Sequence, residues 1–137
     1  LAEDAMDRIR VHFDSLPGHW TAGVPLPGGN FPVDGVATLI KAVQKRYSFL
    51  DDFWAKRLVR AYGTEAFAVL GDATAASDLG QDFGATLTER EVIWLMEREY
   101  ARRAEDVVWR RNKLGLRMSA DEVAALDEWM NKVTPPV

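Results

Sequence analysis

Apolar residues in this chain recur at intervals of three and four, and no segment shows the sustained alternation of a half-buried strand. Met6, Ile9 and Phe13 share one side of a first predicted helix over residues 2–13. Asp34 is placed to cap a second, whose inward face is Val36, Leu39, Ile40, Val43 and Tyr47. A third begins at Asp51 or Asp52, turns Trp54, Leu58, Ala61 and Tyr62 inward, and stops at Gly63. A short fourth covers residues 64–70. Thr88 followed by Glu91 has the form of a capping box for a fifth, where Val92, Leu95 and Met96 recur on one side. Ser119 with Glu122 repeats that signal for a last helix, which turns Val123, Leu126, Met130 and Val133 inward with Trp129 beside them and stops at "TPPV". The expected fold is all-α, a single compact bundle-like domain of six or seven helices.

Two stretches break the periodicity. Residues 71–86 read as a loop, and so do residues 14–33, "DSLPGHWTAGVPLPGGNFPV", where Pro17, Pro25, Pro27 and Pro32 exclude a helix. A loop of that length is uncommon in a small domain and generally has a task. Its Trp20, Val24, Leu26 and Phe31 are costly to leave wet. They are expected either to cover the domain's own core or to meet another part of a larger protein.

Composition narrows the setting. With 137 residues, 47% of them hydrophobic, the chain suits one domain with an adequate core. It has no cysteine, which removes disulfides, thiolate metal sites and cysteine nucleophiles, and fits a reducing compartment such as the cytoplasm. No run approaches the ~18 apolar residues of a membrane span. The start, "LAEDAMDRIR", lacks both an initiator Met and the apolar stretch of a signal peptide, so the expectation is a piece of a longer protein.

Candidate chemistry is sparse. Neither G-x-G-x-x-G nor G-x-x-x-x-G-K-[ST] occurs, and "LPGG" reads as a turn. His12 and His19 are too few for a zinc or di-iron bundle site, and His19 has no partner visible in the sequence. Asp72, Asp78 and Asp82 do not follow calcium-loop spacing and suit turns better. No serine sits in a nucleophile elbow. No catalytic residue, cofactor-binding residue or metal ligand is expected within this chain.

One segment invites a different reading. "DVVWRRNKLGL", residues 106–116, interleaves cations with a tryptophan, as nucleic-acid-binding segments do. Residues 88–113, however, hold seven cations against six anions, and the whole chain carries a net charge of −4. Phosphate binding draws on uncompensated cations. Asp106 stands four residues before Arg110, the favourable order for a helical ion pair. An ion-pair network is expected here, and no nucleic-acid partner.

Three blocks, "LVRAYGTEAFAVL", "DLGQDFGATLTEREVIWLMEREYARRAEDVVWRRNKLGL" and "SADEVAALDEWM", together with "PLPGG", resemble the C-terminal helical domain of FAD-dependent, quinone-linked glycerol-3-phosphate dehydrogenase. The most specific piece is E-x-x-x-x-x-x-D-x-x-W-R-R-x-K-x-G, carried by Glu99, Asp106, Trp109, Arg110, Arg111, Lys113 and Gly115. Arg103 departs from the family, which often has Ser or Thr there. The resemblance implies a non-catalytic accessory domain, residues 1–137, of an enzyme that oxidises glycerol 3-phosphate to dihydroxyacetone phosphate and passes electrons through FAD to quinone. FAD and the substrate-binding residues would lie upstream, in the catalytic part of the same protein, which would be this domain's partner and sit peripherally on the membrane. A free-standing helical interaction module is the alternative. Within the motif, Glu99, Asp106, Arg110 and Arg111 are expected to form a structural network. Arg111 would pair bidentately with Glu99, and Asp106 would support Arg110 or cap its turn. Twelve residues of straight helix would hold Glu99 and Arg111 about 18 Å apart, so the chain must bend near residues 102–104. If that pair is buried, Arg111→Ala should lower the melting temperature sharply.

Overall fold

The computed structural model describes residues 1–133, which form six α-helices: α1 (Ala2–Ile9), α2 (Val36–Arg46), α3 (Asp52–Tyr62), α4 (Ala66–Leu70), α5 (Glu89–Arg98) and α6 (Ala120–Val133). A π-helical segment (Asp106–Arg111) and a 3-10 turn (Leu114–Leu116) lie between α5 and α6. Among the described residues there is no strand, only an isolated bridge between Asp82 and Thr88. The "TPPV" stop signal falls outside the described residues.

The helices from α2 onward close over one core. Val43 of α2, Ala55 and Leu58 of α3, Val69 and Leu70 of α4, Val92 and Leu95 of α5, and Leu126 and Met130 of α6 are all but inaccessible to water. Val107, Val108 and Leu114 add the segment between α5 and α6 to the same cluster. Tyr47, buried at the end of α2, donates its hydroxyl to the carbonyl oxygens of Phe67 and Gly71, which ties α2 to the end of α4.

Local signals set most boundaries. Asp51 caps α3 by accepting the Trp54 N–H at 2.7 Å. At α6 the capping box is complete: Ser119 Oγ accepts the Glu122 N–H, and the Glu122 carboxylate accepts the Ser119 N–H. Gly63 ends α3 at φ +54° and meets Gly28 of the "LPGG" turn backbone to backbone, the Thr64 N–H donating to Gly28 O at 2.9 Å. A Cβ on either glycine would overlap the other chain segment, which fixes both positions as glycine.

Four expectations are corrected. Asp34 caps nothing, because α2 starts one residue later than that role requires, from Gly35. Ala61 and Val133 point outward rather than into the core. The first helix is shorter than expected, continuing from Ile9 into a 3-10 turn over Arg10–His12, and it buries no residue at all. Thr88 stands at the N-cap of α5, but its side chain makes no cap bond, and Glu91 is turned away from it.

Candidate functional site

Glu91 is engaged elsewhere. Its carboxylate, nearly inaccessible to water, receives Arg57 Nη1 and Nη2 at 2.7 Å each, together with the Tyr62 hydroxyl at 2.8 Å. The same guanidinium reaches sideways to Thr86, donating from Nε to Oγ1 and from Nη2 to the carbonyl, both at 2.8 Å. The planar fork of arginine serves two acceptor groups at once. Thr86 and Ala85 have φ of +69° and +47°, a left-handed conformation that costs a β-branched residue most. Arg57 therefore ties a strained loop to α3 and to α5. Burial works to lower the Arg57 pKa, but the Glu91 charge and hydrogen bonds outweigh it and the net shift is upward. Burial first, then the Glu91 charge, drives the Tyr62 phenol far above its ordinary value, so it keeps the proton it donates to Glu91.

The sequence reading missed Arg57 and misassigned Glu91. At about 100° per residue, Arg57 falls on the side of α3 opposite Ala55, Val59 and Tyr62, where solvent is expected. It is covered because the loop carrying Thr86 crosses that side, a contact spanning 29 residues. No local pattern signals it.

The second cluster lies after α5. The chain turns at Tyr100, whose φ of +58° is left-handed, just before the stretch expected to bend. Asp106 Oδ2 accepts the N–H groups of Arg102 and Arg103 at 2.9 and 3.0 Å, and Oδ1 accepts Arg110. The Arg102 N–H is the largest of the contacts that hold the Asp106 carboxyl below its usual range. Arg110 also meets Glu105 at 2.9 Å. Arg111 comes to Glu99, but not as a buried bidentate pair: Nε donates to the Glu99 backbone carbonyl at 2.8 Å and stands 3.8 Å from its carboxylate. Both side chains are about one-third exposed, at 33% and 38%. The backbone of Glu99, freed where α5 ends, offers the nearer acceptor. Lys113 Nζ donates to Trp109 O, and a Cβ on Gly115 would stand 2.6 Å from the Trp109 ring. The residues of the quoted motif thus lie between the end of α5 and the 3-10 turn that precedes α6.

Counting charges along the chain misses one juxtaposition. Arg111 lines a surface cavity of about 460 Å³ with Lys56, Arg60 and Asn112, so cations distant in sequence share a face. Asn112 Nδ2 is buried there with no hydrogen-bond partner among the described residues.

The acidic residues read as turn-formers sit in turns. Asp78 accepts the N–H groups of Thr74 and Ala75, Asp82 accepts that of Gly84, and exposed Asp72 stands 3.6 Å from Arg46. His19 has partners the sequence did not reveal. It stands 2.9 Å from Asp7, and that hydrogen bond, with the nearby carboxylates, raises its pKa. Of the loop's apolar residues Phe31 packs on the core, whereas Trp20, Val24 and Leu26 are exposed. Among the described residues no group of three or more histidines or carboxylates is placed to hold a metal ion, and no helix is long and apolar enough to cross a membrane.

Comparison with known proteins adds a family. The sequence pattern of the C-terminal domain of alpha-glycerophosphate oxidase matches residues 19–135. The chain is 38% identical to a glycerol-3-phosphate dehydrogenase of Pseudomonas aeruginosa, over 98% of this chain and 26% of that protein. It is 34% identical to the aerobic glycerol-3-phosphate dehydrogenase of Escherichia coli, over 98% of this chain and 26% of the relative. To the D-erythritol 1-phosphate dehydrogenase of Brucella abortus it is also 34% identical, over 96% of this chain and 26% of the relative. The chain spans about a quarter of the length of these relatives.

Proposed function

The chain belongs to the family of the C-terminal domain of alpha-glycerophosphate oxidase, and from that premise we propose that it is the helical accessory domain of a flavin-dependent polyol-phosphate dehydrogenase. The reaction assigned to the whole protein is oxidation of glycerol 3-phosphate to dihydroxyacetone phosphate, with electrons passing through FAD to quinone. Its place is the cytoplasm, peripheral to the membrane that holds the quinone. The observation that carries this reading is the coverage: relatives named as dehydrogenases match nearly all of this chain with only 26% of their own length. A free-standing interaction module would not have that relation to longer enzymes.

This chain's own residues do not fit a flavin. Its paired glycines, Gly28 and Gly29, belong to a turn closed against the end of α3 rather than to a strand-to-helix cradle for a pyrophosphate. In this proposal FAD, the substrate and the chemical step belong to the catalytic part of the same protein, the partner of this domain. Choice of substrate belongs there as well. The aerobic glycerol-3-phosphate dehydrogenase of Escherichia coli and the D-erythritol 1-phosphate dehydrogenase of Brucella abortus are each 34% identical to this chain. The turn built from Glu99, Asp106, Arg110 and Arg111 is assigned a structural role, not phosphate binding.

The test is direct. The full-length protein should purify with stoichiometric flavin and reduce a quinone analogue with glycerol 3-phosphate, and the 137-residue chain should be colourless and inactive. A yellow, flavin-retaining short chain would overturn the reading.

A further inference from the structure

α1 has the pattern of a packed helix and none of the packing. Met6 and Ile9 lie on one side of it and Phe13 follows at the end of the adjoining turn, yet α1 contains no buried residue, and Phe13 is 54% exposed. At eight residues it is shorter than the ~12–15 that an isolated helix needs to hold its shape in water. Among the described residues no other helix packs extensively against it.

What α1 does have is a strap. Glu3 Oε1 accepts the N–H groups of Trp20 and Thr21 at 2.9 Å each, and Asp7 holds His19. Arg10 donates to the carbonyls of Leu16 and Pro17 at 3.2 Å. These bonds fix the strap along α1 and leave Trp20 65% exposed. The core, by contrast, runs from Leu39 to Met130 and is complete without α1. The family pattern likewise starts at residue 19, after α1.

We propose that α1 and its strap are a docking peg, not part of the helical body, and that Met6, Ile9, Phe13 and Trp20 seat on an apolar surface of the catalytic part of the same protein. The relatives supply the occupant: about three-quarters of their length lies outside the matched region, given the 26% coverage. A peg braced by its own polar bonds loses little freedom on seating, which favours a stable union of the two parts. This inference rests on the reading of the chain as one domain of a longer dehydrogenase.

Hydrogen exchange on the full-length protein and on the 137-residue chain tests it. Amides of residues 5–13 should exchange at least about ten-fold more slowly in the full-length protein, while those of α5 exchange alike in both. Equal exchange of residues 5–13 in the two would overturn the proposal. The variant Ile9→Asp/Phe13→Asp should abolish that protection in the full-length protein and leave the melting temperature of the short chain unchanged. A loss of stability in the short chain as large as that of Leu95→Ala would show that α1 belongs to the body and refute docking. Concentration-dependent dimers of the short chain that this variant abolishes would give the surface to a second copy, also against the proposal. A full-length protein that lacks flavin would sink the dehydrogenase reading, while the exchange comparison still decides the docking.

Discussion

The two ionic clusters of this domain use the same residue types in opposite surroundings. Asp106 and Arg110 are four residues apart, meet on the outside of a turn, and leave Arg110 53% exposed. Arg57 and Glu91 are 34 residues apart, meet under the loop that carries Thr86, and leave the two side chains 12% and 2% exposed. Spacing along the sequence reveals the first pair and is silent on the second. Yet an exposed pair gains little, because water solvates its separated ends almost as well. A buried pair gives its charges no such alternative once it is formed. Legibility and energetic weight run in opposite directions here.

The largest effect should come from leaving one buried charge alone. Glu91→Ala strands the Arg57 guanidinium and the Tyr62 hydroxyl, and is expected to cost about 3–5 kcal/mol, a large share of the ~5–15 kcal/mol of a typical domain. Replacing both charges together, Arg57→Met/Glu91→Leu, should cost clearly less than the sum of the single substitutions, because no lone charge remains. Urea denaturation of the three variants measures this. A Glu91→Ala protein as stable as the parent would place the buried cluster on the same footing as the exposed one.

What the sequence disclosed follows the same division. Ser119 and Glu122 were readable as a capping box because every bond in it lies within three residues. Gly63 was readable as a stop because a left-handed residue there is a local demand. Thr88 and Glu91 presented the identical local pattern, and there a tertiary partner won: the Arg57 fork holds the carboxylate more firmly than one backbone N–H could. Arg57 itself lies on the polar side of α3, and only the crossing of a loop makes that side an interior. α1 shows the converse failure. Its apolar spacing was real, but what would cover that face is not among the described residues. Of the residues expected to form a network, Asp106 and Arg110 meet four residues apart, whereas Arg111 turns to the Glu99 backbone carbonyl, which no side-chain spacing announces.

A smaller effect separates the clusters by salt. Arg111→Ala removes one hydrogen bond to a carbonyl and a loose ionic contact, and should cost about 0.2–1 kcal/mol. Raising the ionic strength to about 1 M shortens the screening length to ~3 Å, which should erase the ionic share of that cost. The coupling between Arg57 and Glu91 should largely survive the same salt, since the two side chains are only 12% and 2% exposed. Measuring both in a double-mutant cycle at low and high salt checks the contrast. Equal salt sensitivity would mean that the loop over Arg57 admits water freely.

The last contrast is one of pH, and it concerns the exposed turn. Asp106 has a folded pKa below the ~3.9 of an unfolded aspartate, chiefly because its carboxylate accepts the Arg102 N–H. A lowered folded value means that the charged form is the one the fold favours. The stability it contributes is therefore complete above the unfolded value and is lost as pH falls through the lower, folded value. Asp106→Asn keeps an oxygen to accept one backbone N–H but cannot ionise, so at pH 7 the variant should be weaker than the parent by about 1 kcal/mol. That gap should narrow below about pH 4 and close once the parent's carboxyl is protonated. Denaturation of both proteins across this range reads the gap, and carboxyl-carbon NMR reads the Asp106 midpoint itself. A midpoint at or above the unfolded value would mean that the two backbone hydrogen bonds do not hold in solution. The turn would then rest on Tyr100 and the packing of Trp109 on Gly115, with no electrostatic support from its acid.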